Sequence, residues 1–158
     1  MMEAKMLPSL NMYDKKELAY IAGLFDGEGT IFIEGKKSYA KGAISKTHYL
    51  QLSIANTHKE TIDWVKSFLC FGQIIKIEQG NKPLYNWRGY GVEAIVFLKL
   101  LLPYLKIKRG QALLAIEFQK SKRHLNGVKS RKDEIIKRDN YKNEIAKLNK
   151  FGFRYNQI

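Results

Sequence analysis

At 158 residues and 45% hydrophobic composition, the chain is sized for one domain with a true core, which argues against long disordered tails and collagen-like repeats. Its 28 Lys and Arg outnumber 15 Asp and Glu, leaving a formal charge of +13 and a pI near 9.7. Such a field suits nucleic acid, an anionic membrane surface or an acidic protein.

The longest apolar run, near Ile95–Leu105, is broken by Lys99 and Pro103, so no membrane span is expected. The first residues lack the apolar stretch and cleavage site of a secretory signal, and an intracellular protein is the expectation. The single cysteine, Cys70, excludes an intrachain disulfide and a cysteine-based zinc site; between Leu69 and Phe71 it is expected in the core. Nine Tyr and eight Phe, several interleaved with basic and amide side chains in strand-like segments, favour nucleic acid among the three partners.

Residues 1–12 have little periodicity and read as an arm, leaving 13–158 as one domain with a helical extension from about residue 124. Asp14 and Glu17 have capping-box spacing ahead of an apolar run, which predicts a helix over Tyr13–Phe25 ended by Gly27 and Gly29. TIFIEGKK then alternates as a strand, with Ile31 and Ile33 on one face and Thr30, Phe32, Glu34 and Lys36 on the other. After a lysine-rich loop to about Lys46, HYLQLSIAN turns Leu50, Leu52 and Ile54 one way and Tyr49, Gln51, Ser53 and Ala55 the other.

Thr57 is placed to cap a helix reaching Cys70, with Ile62, Val65, Phe68 and Leu69 inward. Strands over Gln73–Gln79 and Leu84–Tyr90 flank a turn at Gly80–Pro83. A helix opening at Gly91 is expected to turn Val92, Ile95, Val96, Leu98 and Leu102 inward, and another spans about Gln111–Lys122. A loop at His124–Lys129 precedes a charged helix, Lys132–Lys150, with a stripe of Ile135, Ile136, Ile145 and Leu148. The expected class is α+β: an α-β-β-α-β-β-α domain whose four antiparallel strands are backed by helices, with further helices C-terminal to it.

The segment richest in chemistry is LAYIAGLFDGEG, Leu18–Gly29. Ala22 and Gly23 let two helix backbones approach closely, while Asp26 and Glu28 fall at the negative end of the helix dipole, a cost that a divalent cation would offset. Gly27 and Gly29 leave room for a phosphate or another backbone. Taken alone, the segment also reads as an amphipathic helix with a glycine cap and two solvated acids.

Residues Ile21–Gly29, IAGLFDGEG, resemble the signature of the LAGLIDADG homing endonucleases, and the element order over about Tyr13–Lys122 is similar to that family's core. The resemblance implies that two copies pack through this helix, with Ile21, Ala22, Gly23, Phe25 and Asp26 at the dimer interface. It makes Glu28 the metal-ligating acid, where the family usually has Asp, and the carbonyl of Gly27 a further ligand. Asp26 becomes a supporting acid.

Lys108 is similar in position to the family's active-site basic residue; the plain alternative is a solvated lysine beside Lys106 and Arg109. His58 matches a polar position that orders water near the metal, or else is a surface residue, and Ile62 stands where relatives can carry a further basic residue. One motif per chain implies a homodimer that hydrolyses one phosphodiester in each strand of a long, nearly palindromic double-stranded DNA site. The implied cofactor is Mg²⁺, with Mn²⁺ as a substitute and Ca²⁺ supporting binding without cleavage; no small-molecule cofactor is implied.

Strand parity turns Glu34, Lys36 and Ser38, and Tyr49, Gln51 and Ser53, toward a free face suited to the major groove. Ile74, Ile75 and Ile77 leave the third strand's faces undecided, so Lys76 and Gln79 stay candidates, joined by Tyr85, Trp87 and Arg88 on the fourth. Lys41, Lys46, Lys120, Lys122, Arg123, Lys129, Arg131 and Lys132 are candidate phosphate contacts. The competing readings are an RNA-binding intron maturase without nuclease activity and a DNA-binding module on the same fold.

Overall fold

The computed structural model describes residues 12–38, 45–122 and 131–151. The expected arm apart from Met12, the lysine-rich loop at 39–44 with Lys41, and the 123–130 segment with Arg123, the His124–Lys129 loop and Lys129 lie outside the described residues.

Helix α1 (Lys15–Glu28) starts where Asp14 accepts hydrogen bonds from the N–H groups of Lys16 and Glu17 (2.8 and 3.2 Å), two of the donors a helix start leaves without partners. It runs three residues beyond the expected Phe25, through Gly27, because Gly29 rather than Gly27 is the cap. The Gly29 N–H donates to the Phe25 carbonyl, and the chain enters strand β1 (Gly29–Ser38) without a loop. A Cβ on Gly29 would lie 2.2 Å from Phe25 Cδ2 and 2.4 Å from the Phe25 oxygen, so only glycine fits this corner.

β1 pairs with β2 (Ser45–Asn56), which begins three residues earlier than the alternation of its apolar residues suggested. Helix α2 (Lys59–Leu69) follows. Its N-cap is His58, not Thr57; Asn56 Oδ1 accepts the His58 N–H at 2.8 Å and shifts the start by one residue. Its end is Cys70 in the left-handed conformation, φ 61°, and Cys70 is exposed rather than in the core: that cap points its thiol outward.

β3 (Gln73–Gln79) and β4 (Lys82–Tyr90) form a two-residue hairpin on Gly80 and Asn81. β4 starts at Lys82 and includes Pro83, which is tolerated because pairing with β2 begins only at Tyr85.

Helices α3 (Gly91–Leu101), α4 (Arg109–Lys120) and α5 (Lys132–Phe151) complete the described chain. The sheet order is β1-β2-β4-β3, all antiparallel.

Register decides the faces. Ile31 and Ile33 oppose Leu52 and Leu50, and Ile54 opposes Trp87, which opposes Ile74; this side meets the helices. Phe97 of α3 stacks on Trp87 (4.8 Å between centroids) and meets Phe25 of α1 edge-on (4.9 Å), so three elements share one aromatic cluster.

The inward face of α3 is Ala94, Phe97, Leu98, Leu100 and Leu101; Val92 is exposed, and Ile95, Val96 and Leu102 are half-buried. Of the expected inward residues only Leu98 is fully buried, because α3 is apolar nearly all round and its periodicity carries little information. On α5, Ile145 is buried but Ile136 is exposed, and Arg138 occupies an inward position instead. No described helix is long and apolar enough to cross a membrane.

Candidate active site

The last turn of α1 sends Asp26 inward and Glu28 outward. Asp26 is 8% exposed, and its two carboxylate oxygens accept the main-chain N–H groups of Lys106 (2.8 Å) and Lys108 (2.9 Å) in the turn between α3 and α4. Lys108 is the N-cap of α4, and its ammonium donates back to the Asp26 main-chain oxygen. The expected offset to the acids at this helix end therefore comes in part from the protein itself, as a cation held on the negative end of the dipole. Loss of solvent lowers the pKa of Lys108 below the usual lysine range, against the opposing pull of Asp26 and Glu28.

Glu28 is exposed and makes no hydrogen bond or ion pair among the described residues. Of the carbonyls that a helix end leaves over, Phe25 accepts from Gly29 and Asp26 from Lys108, so Gly27 has no helical N–H to accept from. No group of three or more His, Cys, Asp or Glu able to hold a metal occurs among the described residues. Both oxygens of Asp26 are committed. This corner thus offers a carboxylate and a carbonyl, hard oxygen donors that fit Mg²⁺ if phosphate and water complete its shell.

The residues expected at a dimer interface divide. Ile21, Ala22 and Phe25 are fully buried in the chain's own core and Asp26 nearly so, which takes them out of the expected interface between two copies: they hold α1 to the sheet and to α3. Gly23 is exposed, and with Ala19, Tyr20 and Gly27 it forms the outward side of α1. A Cβ at Gly23 or Gly27 would meet nothing within 4 Å.

On the sheet, the face away from the helices carries Glu34 and Lys36, both exposed, and Tyr49, half-buried. Ser38 falls at the end of β1, paired with Ser45. Gln51 and Ser53 share this face but are only 8% exposed, because β2 is central: Gln51 lies between Phe32 and Tyr90, and Ser53 between Thr30 and Arg88. Gln79 and Arg88 are on the same side.

Trp87, Tyr85 and Lys76 are on the opposite side, so these three candidates do not belong to the open face. Trp87 is fully buried with Nε1 donating to the Phe71 oxygen at 3.1 Å, Tyr85 packs at the edge of the core, and Lys76, opposite Tyr85, pairs with Glu78. Pairing of Trp87 with Ile54 imposes this parity on both strands. Lys46 and Lys122 also belong to the helix side, bonded to Asp139 and to the His48 carbonyl. Lys120, Arg131 and Lys132 are exposed.

No protein-family model matches the sequence, and no curated protein matches it significantly. Solved structures do. The homing endonuclease I-CvuI, in complex with the I-CreI target, matches with a TM-score of 0.70 at 18% identity, over 85% of this chain and 82% of that one. The archaeal intron-encoded homing endonuclease I-Vdi141I, complexed with DNA, gives 0.69 at 21% identity, over 90% of this chain and 89% of that one. The I-SmaMI LAGLIDADG homing endonuclease bound to cleaved DNA gives 0.54 at 18% identity, over 66% of this chain and 36% of that one. The fold is that of the LAGLIDADG homing endonucleases.

Within this LAGLIDADG fold, Ile21–Gly29 is the second half of α1 and the corner into β1. His58 is not hydrogen-bonded to Glu28 or Lys108. Its Nδ1 lies 2.8 Å from Thr61 Oγ1 and its Nε2 3.4 Å from Glu60, in a shallow groove with Glu17, Tyr20 and Trp64. Tyr20 is about two turns of α1 away from Glu28.

Sequence reasoning did not single out Asn86 and Tyr90 on the LAGLIDADG sheet's outer face. The burial of Trp87 would have revealed them, since it sets the parity of β4.

Proposed function

We propose that this chain is a homing endonuclease that binds a long, pseudo-palindromic double-stranded DNA site as a homodimer and hydrolyses one phosphodiester in each strand with a divalent metal. The observation that carries the reading is the pairing, at one helix end, of an acid without a hydrogen bond among the described residues and a partly desolvated cation: Glu28 is exposed while Lys108 is held on the Asp26 carbonyl beside it.

Glu28 and the Gly27 carbonyl would hold the metal. Bound there, Mg²⁺ would supply charge stabilisation of the attacking and leaving oxygens in an in-line displacement. The Lys108 ammonium, fixed before DNA arrives, neutralises charge that develops on the phosphate. Asp26 keeps Lys108 in place through the two amides it accepts. No step is assigned to His58, which faces the groove beside Glu17 and Tyr20.

The dimer is supported by the outward side of α1. Ala19, Gly23 and Gly27 recur at four-residue spacing, so a second α1 can approach closely and bring a second Glu28 to the other strand. Reading of bases is assigned to Glu34, Lys36, Tyr49, Gln51, Ser53, Gln79 and Arg88 on the open sheet face. The similar proteins I-CvuI and I-Vdi141I were solved with DNA, which supports the same partner here.

The test is selection of duplexes from a DNA library in Ca²⁺, followed by transfer to Mg²⁺, with wild type and Glu28→Gln in parallel. Wild type is expected to cut both strands, and the variant to bind the same duplexes without cutting. Tight binding with no cutting by either protein would overturn the nuclease reading in favour of an RNA maturase or binding module.

A further inference from the structure

β2 carries a fully buried histidine, His48, on its helix side, under α5. His48 Nε2 lies 2.8 Å from Asp139 Oδ1 of α5, and Lys46 Nζ reaches the same oxygen at 2.5 Å. Room for both side chains comes from Gly35, opposite His48 on β1: a Cβ there would lie 2.9 Å from Lys46 Cε and 3.4 Å from His48 Cδ2 and Nε2.

The Lys122 ammonium, just after α4, donates to the His48 carbonyl at 2.8 Å and ties that segment to β2. The charged groups around the imidazole are Lys46 on β2, Arg138 and Asp139 on α5, and Lys122 after α4; on β1, Gly35 stands opposite His48 and the next residue on that face is Lys37, opposite Lys46.

Because Asp139 accepts at Nε2, the proton of the neutral ring sits there. Nδ1 is buried with no hydrogen-bond partner among the described residues. Protonating Nδ1 would create a buried donor without an acceptor and add a charge among three cations and one carboxylate.

We propose that His48 is a proton-sensitive latch for α5: neutral, it fastens α5 through Asp139 to the ribbon of β1 and β2, and protonated, it releases the helix. α5 is also tied to β1 by Asn149, whose Nδ2 donates to the Ile31 carbonyl at 2.8 Å, so release loosens the backing of both strands. On the proposed function, those strands carry Glu34, Lys36, Tyr49 and Gln51 on their other face, and loosening them slackens base reading.

Burial pushes the His48 imidazole below its usual range, outweighing the pull of Asp139. Burial raises the Asp139 carboxyl, but hydrogen bonds from Lys46 and His48 outweigh it and leave that pKa below the usual value. The sign follows. The docked state binds the imidazole proton more weakly than the released state, so the latch is whole above about pH 6.5, the ordinary histidine value. It is lost as pH falls from there through the lowered docked value.

The test is amide hydrogen exchange across residues 132–150 of the full chain without DNA between pH 5.5 and 7.5, corrected for intrinsic rates, with the His48 ring followed by NMR. The opening constant of α5 is expected to rise by up to about tenfold per pH unit as the imidazole titrates, the limit for one proton. His58→Ala should behave as wild type, and His48→Gln should lose the pH dependence.

An unchanged α5 in wild type, or a full response in His48→Gln, would overturn the latch. If His48→Gln does not fold, the wild-type ring decides: the rise in α5 opening should level off at the pH where the docked imidazole titrates, and a rise that continues below that pH overturns the latch. DNA cleavage enters neither readout, so failure here is separate from failure of the nuclease reading.

Discussion

The Lys108 ammonium donates to the main-chain oxygen of Asp26, while the Asp26 carboxylate accepts the Lys108 N–H at 2.9 Å. This two-way bond joins the end of α1 to the start of α4 across 82 residues of sequence. It neutralises the helix end and uses up Asp26, so that Glu28 alone projects outward.

Asp26→Asn should cost about 2 kcal/mol in urea unfolding, because one of two main-chain N–H groups loses a charged acceptor and faces an amide donor. In folded protein, cutting should fall more than DNA binding, since the turn that seats Lys108 is loosened. Unchanged stability together with unchanged cutting would remove Asp26 from the site's support.

The two sides of α1 predict opposite behaviour for two glycines. Gly29→Ala forces a methyl to 2.4 Å from a backbone oxygen and should destabilise by about 2 kcal/mol or more. Gly23→Leu meets open space within the protomer, so its circular dichroism should match wild type while sedimentation shifts from dimer to monomer. A Gly23→Leu monomer that still cuts both strands would refute the proposed dimer.

Neighbouring residues of β4 should separate stability from binding. Trp87→Phe strips the donor from the Phe71 carbonyl and should cost about 1–3 kcal/mol, with DNA affinity unchanged at temperatures where the variant is folded. Arg88→Ala, on the open face, should change stability by no more than about 0.5 kcal/mol. It should weaken DNA binding and flatten its dependence on salt, measured by fluorescence anisotropy across a salt series.

Much of this architecture is legible in the sequence because it is local. The Asp14 cap, the alternation through Leu50, Leu52 and Ile54, and the small residues of α1 act over a few residues, where period and side-chain chemistry suffice. The signature Ile21–Gly29 likewise places Asp26 and Glu28 together at one helix end.

Tertiary structure decides whatever depends on a distant partner. The outer face of β3 and β4 follows from Trp87 opposing Ile54, a pairing across 33 residues that no run of Ile74, Ile75 and Ile77 could announce. The inward phase of α3 was hidden because nearly every side of that helix is apolar, and only contact with Phe25 and Trp87 selects Phe97. The same holds for the site: the resemblance to the LAGLIDADG family is what nominates Glu28 and Lys108. Whether an acid is spent on holding the fold or left free for chemistry depends on which donors the chain folds against it, and only the tertiary structure delivers the amides of Lys106 and Lys108 to Asp26 and, among the described residues, none to Glu28.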